Sequence, residues 1–358
     1  MRIAFAGWWT GWHVFPIQSL IKYINTIKHK QHEFFWFGEK PSLEYSTYKK
    51  LADIVSKLYF IPIVSGKRRR EKELQAVGKN IFDLIKIGGG FFQSLWWLVY
   101  YKIDVVFCKW WYVSLPVVIA AWILRKKIVL HESDTTPGLS NRLCSKFSWI
   151  IFTWFTWVFP EKEIVVGQIL DDDLVNLHFK PQNSELYNGK TNVLVTGGSQ
   201  GSESVYKVLV EILSVKAFPH TYFHIIMGTK NSHLQFMFSS LHHVKVYDFI
   251  DQKYMWWLLH LCDVAITRWG TTSLAEQQLF GIKKIIIPIP WTHDQYKNAL
   301  YYKNNFEDIL IQQDNDDFKT TLKKELSALE TYKKWLYNNP LESIQWTKDT
   351  IISAILWQ

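Results

Sequence analysis

The sequence predicts an α/β fold of two doubly wound parallel-sheet domains, and three observations carry the prediction. Short β-branched runs alternate with helical stretches from end to end, the pattern of parallel sheets with helices on both faces. Those runs form two sets, separated by a polar stretch from Asp171 to Lys190 that is rich in Asp and Asn and short of periodicity. At 358 residues the chain is also longer than one hydrophobic core usually supports.

In the first set, strands are predicted over Arg2 to Ala6, Glu33 to Phe37, Lys57 to Ile63, Asp104 to Lys109, Ile128 to Glu132 and Trp149 to Thr153. Glu163 to Gly167 follows Phe159-Pro160 and closes this set. The second set runs through Asn192 to Thr196, Tyr222 to Met227, Val244 to Phe249, Asp263 to Thr267, Lys284 to Pro288 and Asp308 to Gln312, each leading into a turn and a helical segment. The expected organisation is domain 1–165, linker 166–190, domain 191–340, and a final helix over 341–358 able to pack back on the first domain. Two such halves predict a ligand cleft between the carboxyl ends of their strands.

Composition narrows the class without choosing a partner. A net charge of +9 suits a nucleotide, an anionic lipid surface or nucleic acid. The aromatics form no recognisable nucleic-acid platform, so no nucleic-acid partner is expected. Cys108, Cys144 and Cys262 are odd in number and lack metal-ligand spacing, which predicts a reducing compartment and inert thiols. The N-terminus runs straight into a strand, so no export signal is expected. The longest apolar run, Trp110 to Leu124, has 15 residues broken by Ser114 and Pro116, against the roughly 20 a spanning helix needs. It reads as a buried or interfacial helix in a soluble chain.

Several strings sit where strands end. Val193-Leu194-Val195-Thr196-Gly197-Gly198-Ser199-Gln200-Gly201-Ser202 is a strand, a glycine-rich turn and a helix start, where small residues let backbone N–H groups approach an anion. A bare strand-glycine-helix turn is weak support, since tight connections use glycine for steric reasons alone. In Thr267-Arg268-Trp269-Gly270-Thr271-Thr272-Ser273-Leu274-Ala275-Glu276, Glu276 falls in the following helix and can accept both hydroxyls of a ribose. The alternative is a glutamate favoured by the helix dipole. Pro290-Trp291-Thr292-His293-Asp294-Gln295-Tyr296-Lys297-Asn298-Ala299 places imidazole and amide groups at another strand end.

In the first half, Ala6-Gly7-Trp8-Trp9-Thr10-Gly11-Trp12-His13 leads from a strand into a helix, with His13 a candidate general base or sugar contact. His131-Glu132-Ser133 ends another strand, and Glu132 is either a base or a structural acceptor. Asn141 opens the next helix. Lys67-Arg68-Arg69-Arg70 is a solvated charge run or, with Phe91-Phe92-Gln93-Ser94-Leu95-Trp96-Trp97, a docking patch for an anionic membrane.

Taken together, these strings resemble the bacterial glycosyltransferases that add N-acetylglucosamine to undecaprenyl-linked muramyl-pentapeptide in peptidoglycan biosynthesis. The resemblance runs from residue 1 to about Ala299 with the motifs in order. That family's Gly-Gly-Gly-Thr-Gly-Gly-His stands against Gly7-Trp8-Trp9-Thr10-Gly11-Trp12-His13, its Gly-Gly-Tyr-Val-Ser against Trp110-Trp111-Tyr112-Val113-Ser114, and its His-Glu-Gln-Asn against His131-Glu132-Ser133-Asp134. Gly-Gly-Ser-Gln-Gly is intact, and Gln-Tyr-x-Asn-Ala survives as Gln295 to Ala299. The chain departs from the family at Gly167-Gln168-Ile169-Leu170, where the family has Gly-Asn-Pro and a basic residue.

The resemblance implies a glycosyltransferase B architecture, two Rossmann-like domains facing across a cleft. It implies inverting transfer from UDP-N-acetylglucosamine to the lipid-linked muramyl-pentapeptide by a peripheral enzyme on the cytoplasmic face of the membrane. No cofactor or metal is implied, and Asp171-Asp172-Asp173 lies in the predicted linker rather than at a strand end. His13 is the favoured base and Glu132 the second catalytic candidate. Donor contacts are carried onto Thr10, Gly11, Trp12, Asn141, Gln168, Ser199, Gln200, Gly201, Phe249, Ile250, Arg268, Gly270, Thr271, Glu276 and Gln295. Trp8, Trp9, Trp111 and Tyr112 fall on the acceptor loops. The alternatives are another glycosyltransferase of this architecture with a lipid acceptor, or a non-catalytic binding protein for sugar nucleotides or lipid carriers.

Tryptophan outnumbers glycine, 19 to 17, whereas ordinary usage would give roughly 25 glycines in a chain of this length. Trp8, Trp9, Trp12, Trp110, Trp111 and Trp269 all fall where the family has glycine or another small residue. The expectation is a source that reads UGA as glycine, the written tryptophans being a translation by another code. Genuine tryptophans would instead build an aromatic membrane or sugar-stacking surface.

Overall fold

The structure is a computed structural model describing residues 1–7, 11–27, 32–66, 74–109, 113–175, 189–197, 201–215, 218–228, 230–248, 250–268, 270–290, 293–335 and 339–357, with the side chains of 11–13, 74–81 and 293–295 left aside. The chain divides into two compact units. The first comprises Met1–Asp171 with Ile344–Gln358, the second Asp172–Ser343.

The first unit is built on strands β1 (Arg2–Ala6), β2 (Glu33–Gly38), β3 (Leu58–Pro62), β4 (Val105–Cys108), β5 (Lys127–Glu132), β6 (Ile150–Thr153) and β7 (Glu163–Val165). They form one sheet in the order β3-β2-β1-β4-β5-β6-β7, all neighbours parallel. Parallel sheets are covered on both faces, which is why these strands are near-continuous apolar runs. Alternation along β1 sends Ile3 and Phe5 into one apolar layer and Ala4 and Ala6 into the other. The first layer is filled from α1 (Gly11–Ile27) through Val14, Ile17, Leu20, Ile21 and Ile24. The second is filled from α3 (Leu74–Tyr100) and α4 (Ser114–Ile123), through Leu98, Val117, Val118 and Ala121. Between them, α2 (Leu43–Ala52) is capped by Ser42, whose Oγ accepts from the Tyr45 N–H at 3.2 Å, and α5 (Leu139–Ser145) follows β5.

The last helix of the chain, numbered α11 below (Pro340–Leu356), returns to this unit. Ile351 and Ile355 are wholly buried and Ile352 nearly so, in the layer that holds Ile3 and Phe5. Thr347 donates to the Val166 carbonyl at 2.5 Å, and the rings of Trp357 and Trp149 lie 5.9 Å apart.

The second unit carries β8 (Thr191–Thr196), β9 (Thr221–Ile226), β10 (Val244–Tyr247), β11 (Val264–Thr267), β12 (Lys283–Ile286) and β13 (Ile309–Leu310), in the parallel order β10-β9-β8-β11-β12-β13. Its helices are α6 (Glu203–Val215), α7 (Gln252–Leu261), α8 (Thr271–Leu279), α9 (His293–Phe306) and α10 (Phe318–Ala328). Val193 and Val195 pack with Val205, Leu209, Leu213, Leu322 and Leu326. The predicted alternation of one helix per strand does not hold throughout. β6 passes to β7 without a helix, and β9 is followed by a 3-10 turn over Ser232–Phe238.

Strand order reverses between β1 and β4 in the first unit and between β8 and β11 in the second. Neighbouring crossovers leave in opposite directions there, opening a crevice at the carboxyl ends of the strands.

Candidate active site

The carboxyl edge of the first sheet holds a closed polar network around a buried lysine. Lys109 is the residue after β4, beside the β1–β4 reversal, and its N–H donates to the Ala6 carbonyl at 2.9 Å. Its side chain is wholly buried. The Nζ lies 2.8 Å from His131 Nδ1, 2.5 Å from Ser133 Oγ and 3.2 Å from the Gln168 Oε1. His131 Nε2 stands 2.9 Å from the Gly167 carbonyl, which can only accept, so the ring proton sits on Nε2 and Nδ1 accepts from the lysine. Three acceptors thus meet the three protons of one ammonium. Burial still pulls Lys109 down to about 7, opposed by the negative charges of Glu132 and Asp134. Burial and the neighbouring lysine push His131 well below the ordinary imidazole value and keep it neutral.

Glu132, the last residue of β5, is bound on every side. Its Oε1 accepts from the N–H groups of Ser133 at 2.7 Å and Asp134 at 3.0 Å, and its Oε2 accepts from Asn141 Nδ2 at 2.8 Å. Burial and then Asp134 raise its carboxyl to about 8, against the three donors that favour the ionised form. Gly167 reaches Gln168 through φ +96, a left-handed backbone that suits glycine. Ser133 donates to Gln168 Oε1 at 3.0 Å, so that amide oxygen faces two donors. Gln168 Nε2, Asn141 Oδ1 and Thr153 Oγ1 are buried with no hydrogen-bond partner among the described residues.

The reversal in the second sheet has its own cation. Arg268 is the residue after β11; its guanidinium donates to Ser202 Oγ and to the Ile287 and Pro288 carbonyls at 3.2 and 3.3 Å. It therefore ties together the segments that follow β8, β11 and β12. Gly197, Ser202, Tyr206 and Arg268 line a narrow cavity of about 10 Å³ at this edge. Gly201 has φ +75, and a Cβ there would stand 1.9 Å from the Met227 carbonyl oxygen, so only glycine closes the turn into α6. Thr271 opens α8 behind Gly270, Glu276 lies farther along the same helix, and Ile250 precedes α7.

The structure thus brings Glu132, Asn141 and Gln168 to one edge, and Gly201, Arg268, Gly270 and Thr271 to another. His13 and Gly11 lie in the first turn of α1 with Trp12, and Gln295 in the first turn of α9. Trp8, Trp9, Thr10, Trp111, Tyr112, Ser199, Gln200 and Phe249 lie outside the described residues. Lys109 was not among the residues singled out from the sequence, although a lysine closing the apolar run Val105-Val106-Phe107-Cys108 was a visible signal. Among the described residues no cluster of His, Cys, Asp and Glu is placed to hold a metal ion.

Residues 3–153 match the model of the glycosyltransferase family 28 N-terminal domain, and residues 192–354 that of its C-terminal domain. The chain belongs to glycosyltransferase family 28. Among family members, it is 30% identical over 92% of its length to a Shouchella clausii protein, 90% of which is covered. It is 28% identical over 99% of its length to one from Staphylococcus aureus strain MRSA252, 98% of which is covered. Both relatives are named UDP-N-acetylglucosamine--N-acetylmuramyl-(pentapeptide) pyrophosphoryl-undecaprenol N-acetylglucosamine transferase. The crystal structure of Acinetobacter baumannii MurG superposes with a TM-score of 0.76 at 20% identity, covering 100% of this chain and 99% of that one. A Neisseria meningitidis UDP-GlcNAc 2-epimerase bound to UDP-GlcNAc shares the fold at a TM-score of 0.66 and 15% identity, with both chains fully covered. The family 28 fold is therefore the two-domain glycosyltransferase B architecture that the motif order implies.

Proposed function

We infer that this family 28 enzyme transfers N-acetylglucosamine from UDP-N-acetylglucosamine to undecaprenyl-pyrophosphoryl-muramyl-pentapeptide, with inversion at the anomeric carbon. The observation that carries the reading is the near full-length relationship to two proteins bearing that name. In this reading the uracil and ribose bind in the second unit near Glu276 and Ile250. The diphosphate lies on the glycine turn before α6, and the sugar lies near Gln295. The acceptor hydroxyl attacks the anomeric carbon opposite UDP; the new C–O bond forms as the bond to UDP breaks. The hydroxyl proton passes to His13. Backbone N–H groups, the dipole of α6 and Arg268 stabilise the charge that develops on UDP.

Glu132 serves a different purpose from proton removal. Its two oxygens already hold Ser133, Asp134 and Asn141, which supports a role in shaping the loop.

The acceptor is membrane-bound, and α3 supports docking from the cytoplasmic face. Phe82, Ile85, Phe92, Trp96 and Val99 recur at helical spacing along it, each more than half exposed, and Lys67 to Arg70 precede it in the chain. Among the described residues no helix is long and apolar enough to cross a membrane.

The test is UDP release from UDP-N-acetylglucosamine with the lipid-linked muramyl-pentapeptide, using the chain as written and a version with glycine at 8, 9, 12, 110, 111 and 269. The expected result is UDP release together with a lipid lengthened by one sugar. Donor binding without UDP release overturns it, and turnover only with a diacylglycerol or another polyisoprenoid sugar assigns the acceptor differently. His13→Ala is expected to lower kcat by about 10²–10⁴-fold with little change in donor affinity. An unchanged kcat removes His13 as the base.

A further inference from the structure

Lys109 is a wholly buried charge in the first unit that the proposed chemistry leaves without a task. Burying an ammonium is costly unless its protons are matched. Here the matching acceptors come from two separate strand ends, that of β5 for His131 and, in the turn after it, Ser133, and that of β7 for Gln168 in the segment that follows. Such a cluster does more than tolerate a charge. It fixes which way the Gln168 amide faces. An amide has one accepting and one donating end, and Lys109 and Ser133 both offer protons to the same end. The oxygen must therefore point inward, and the buried NH2 group points away with no partner among the described residues. Asn141 is set in the complementary sense. Glu132 Oε2 takes its Nδ2, which leaves a buried Oδ1 open as an acceptor. One loop, Glu132-Ser133-Asp134, thus anchors both amides.

We propose that Lys109 is a positioning residue for sugar-nucleotide binding, its ammonium locking the Gln168 amide so that the NH2 group is offered to an oxygen of the bound sugar diphosphate. This rests on the transferase reading. It also accounts for the departure at Gly167-Gln168, where the family's basic residue is missing: the cation sits on a neighbouring segment, just after β4, and acts through a neutral amide. The groups facing the ammonium are His131, held neutral, Asp134, whose negative charge favours the charged lysine, and Glu132, whose own carboxyl is raised to about 8 and becomes charged only above that value. With the lysine lowered to about 7, the ammonium is present on the acid side and lost as pH rises through that value. The neutral amine has one proton fewer for its three acceptors, which weakens one of the two donors that hold the amide oxygen inward.

The experiment measures UDP-N-acetylglucosamine binding by calorimetry, which needs no acceptor and no turnover, so its outcome is separable from that of the transferase assay. Lys109→Met and Gln168→Ala are each expected to weaken binding by about 10-fold or more, and the double variant to be no weaker than either single one. Gln168→Glu keeps a partner for Lys109 while deleting the donors, and should bind as weakly as Gln168→Ala; it also keeps the test open if Lys109→Met does not fold. Wild-type affinity should fall as pH rises through about 7, and Lys109→Met should lack that step while keeping any step near 8 that belongs to Glu132. Additive effects of the two single variants would reduce Lys109 to a structural lysine and overturn the proposal. Wild-type affinity in Gln168→Glu would overturn it as well.

Discussion

Trp157 holds φ 65 with its ring 81% exposed, in the turn where Glu163 accepts from the N–H groups of Trp157 at 2.6 Å and Phe159 at 2.5 Å. A bulky L residue in the left-handed region costs on the order of 1–3 kcal/mol, and an exposed indole recovers little of that through packing. Glycine would hold the turn without the cost. The backbone thus adds a position to the six tryptophans that the motifs align with small residues, by an argument that uses no motif. Mass spectrometry of peptides from the native protein should show glycine at 8, 9, 12 and 157. Tryptophan at 8, 9 and 12 would sink the recoding idea and leave Trp157 as a strained surface residue. Residue by residue, the site was only partly legible. Glu132, Asn141 and Gly201 could be picked out because they stand beside short, recognisable turns. Lys109 shows in the sequence only as a lysine closing an apolar run, because the reason for burying it is shared among acceptors 22, 24 and 59 residues away.

Among the elements, the central strands were readable because burial on both faces writes them as unbroken apolar runs, as in Val105-Val106-Phe107-Cys108. β13 lies inside the strand predicted over Asp308 to Gln312 but is shorter, since its pairing with β12 spans only Ile309 and Leu310. The full extent of α3, 27 residues, was hidden for another reason: Gly88-Gly89-Gly90 interrupts the run, and apolar residues lie both on the face that buries Leu98 and on its exposed face, from Phe82 to Val99. That face carries its own prediction. Phe92→Ser with Ile85→Ser should reduce co-sedimentation with vesicles containing anionic lipid by several-fold, while release of UDP to a detergent-solubilised acceptor stays near wild type. Equal sedimentation of both proteins would remove α3 as the docking element.

For the whole molecule, the same arrangement occurs twice. In each unit a basic residue, Lys109 or Arg268, directly follows the strand beside the order reversal and gathers the neighbouring strand ends. In each, a positive-φ glycine sets the adjoining turn, Gly167 in one and Gly201 in the other. The units are not simply sequential, because residues 344–358 belong to the first. Three buried isoleucines of α11 contribute about 1.5–3 kcal/mol each, comparable in sum to the net stability of a typical domain. Removing residues 344–358 is therefore expected to abolish a cooperative thermal transition of the first unit, and Ile351→Ala to cost about 2–5 kcal/mol. A truncated protein that melts as the full chain does would contradict this.

That return of α11 also has a consequence during synthesis. The apolar seat around Ile3, Phe5 and Val14 is made early, but the helix that covers it leaves the ribosome only after the whole second unit has been translated. At about 5–20 residues per second, the delay between Asp171 and Ile344 is roughly 10–35 s. For that interval the nascent first unit presents an uncovered greasy face, so chaperone engagement should peak on chains arrested before α11 and fall once it emerges.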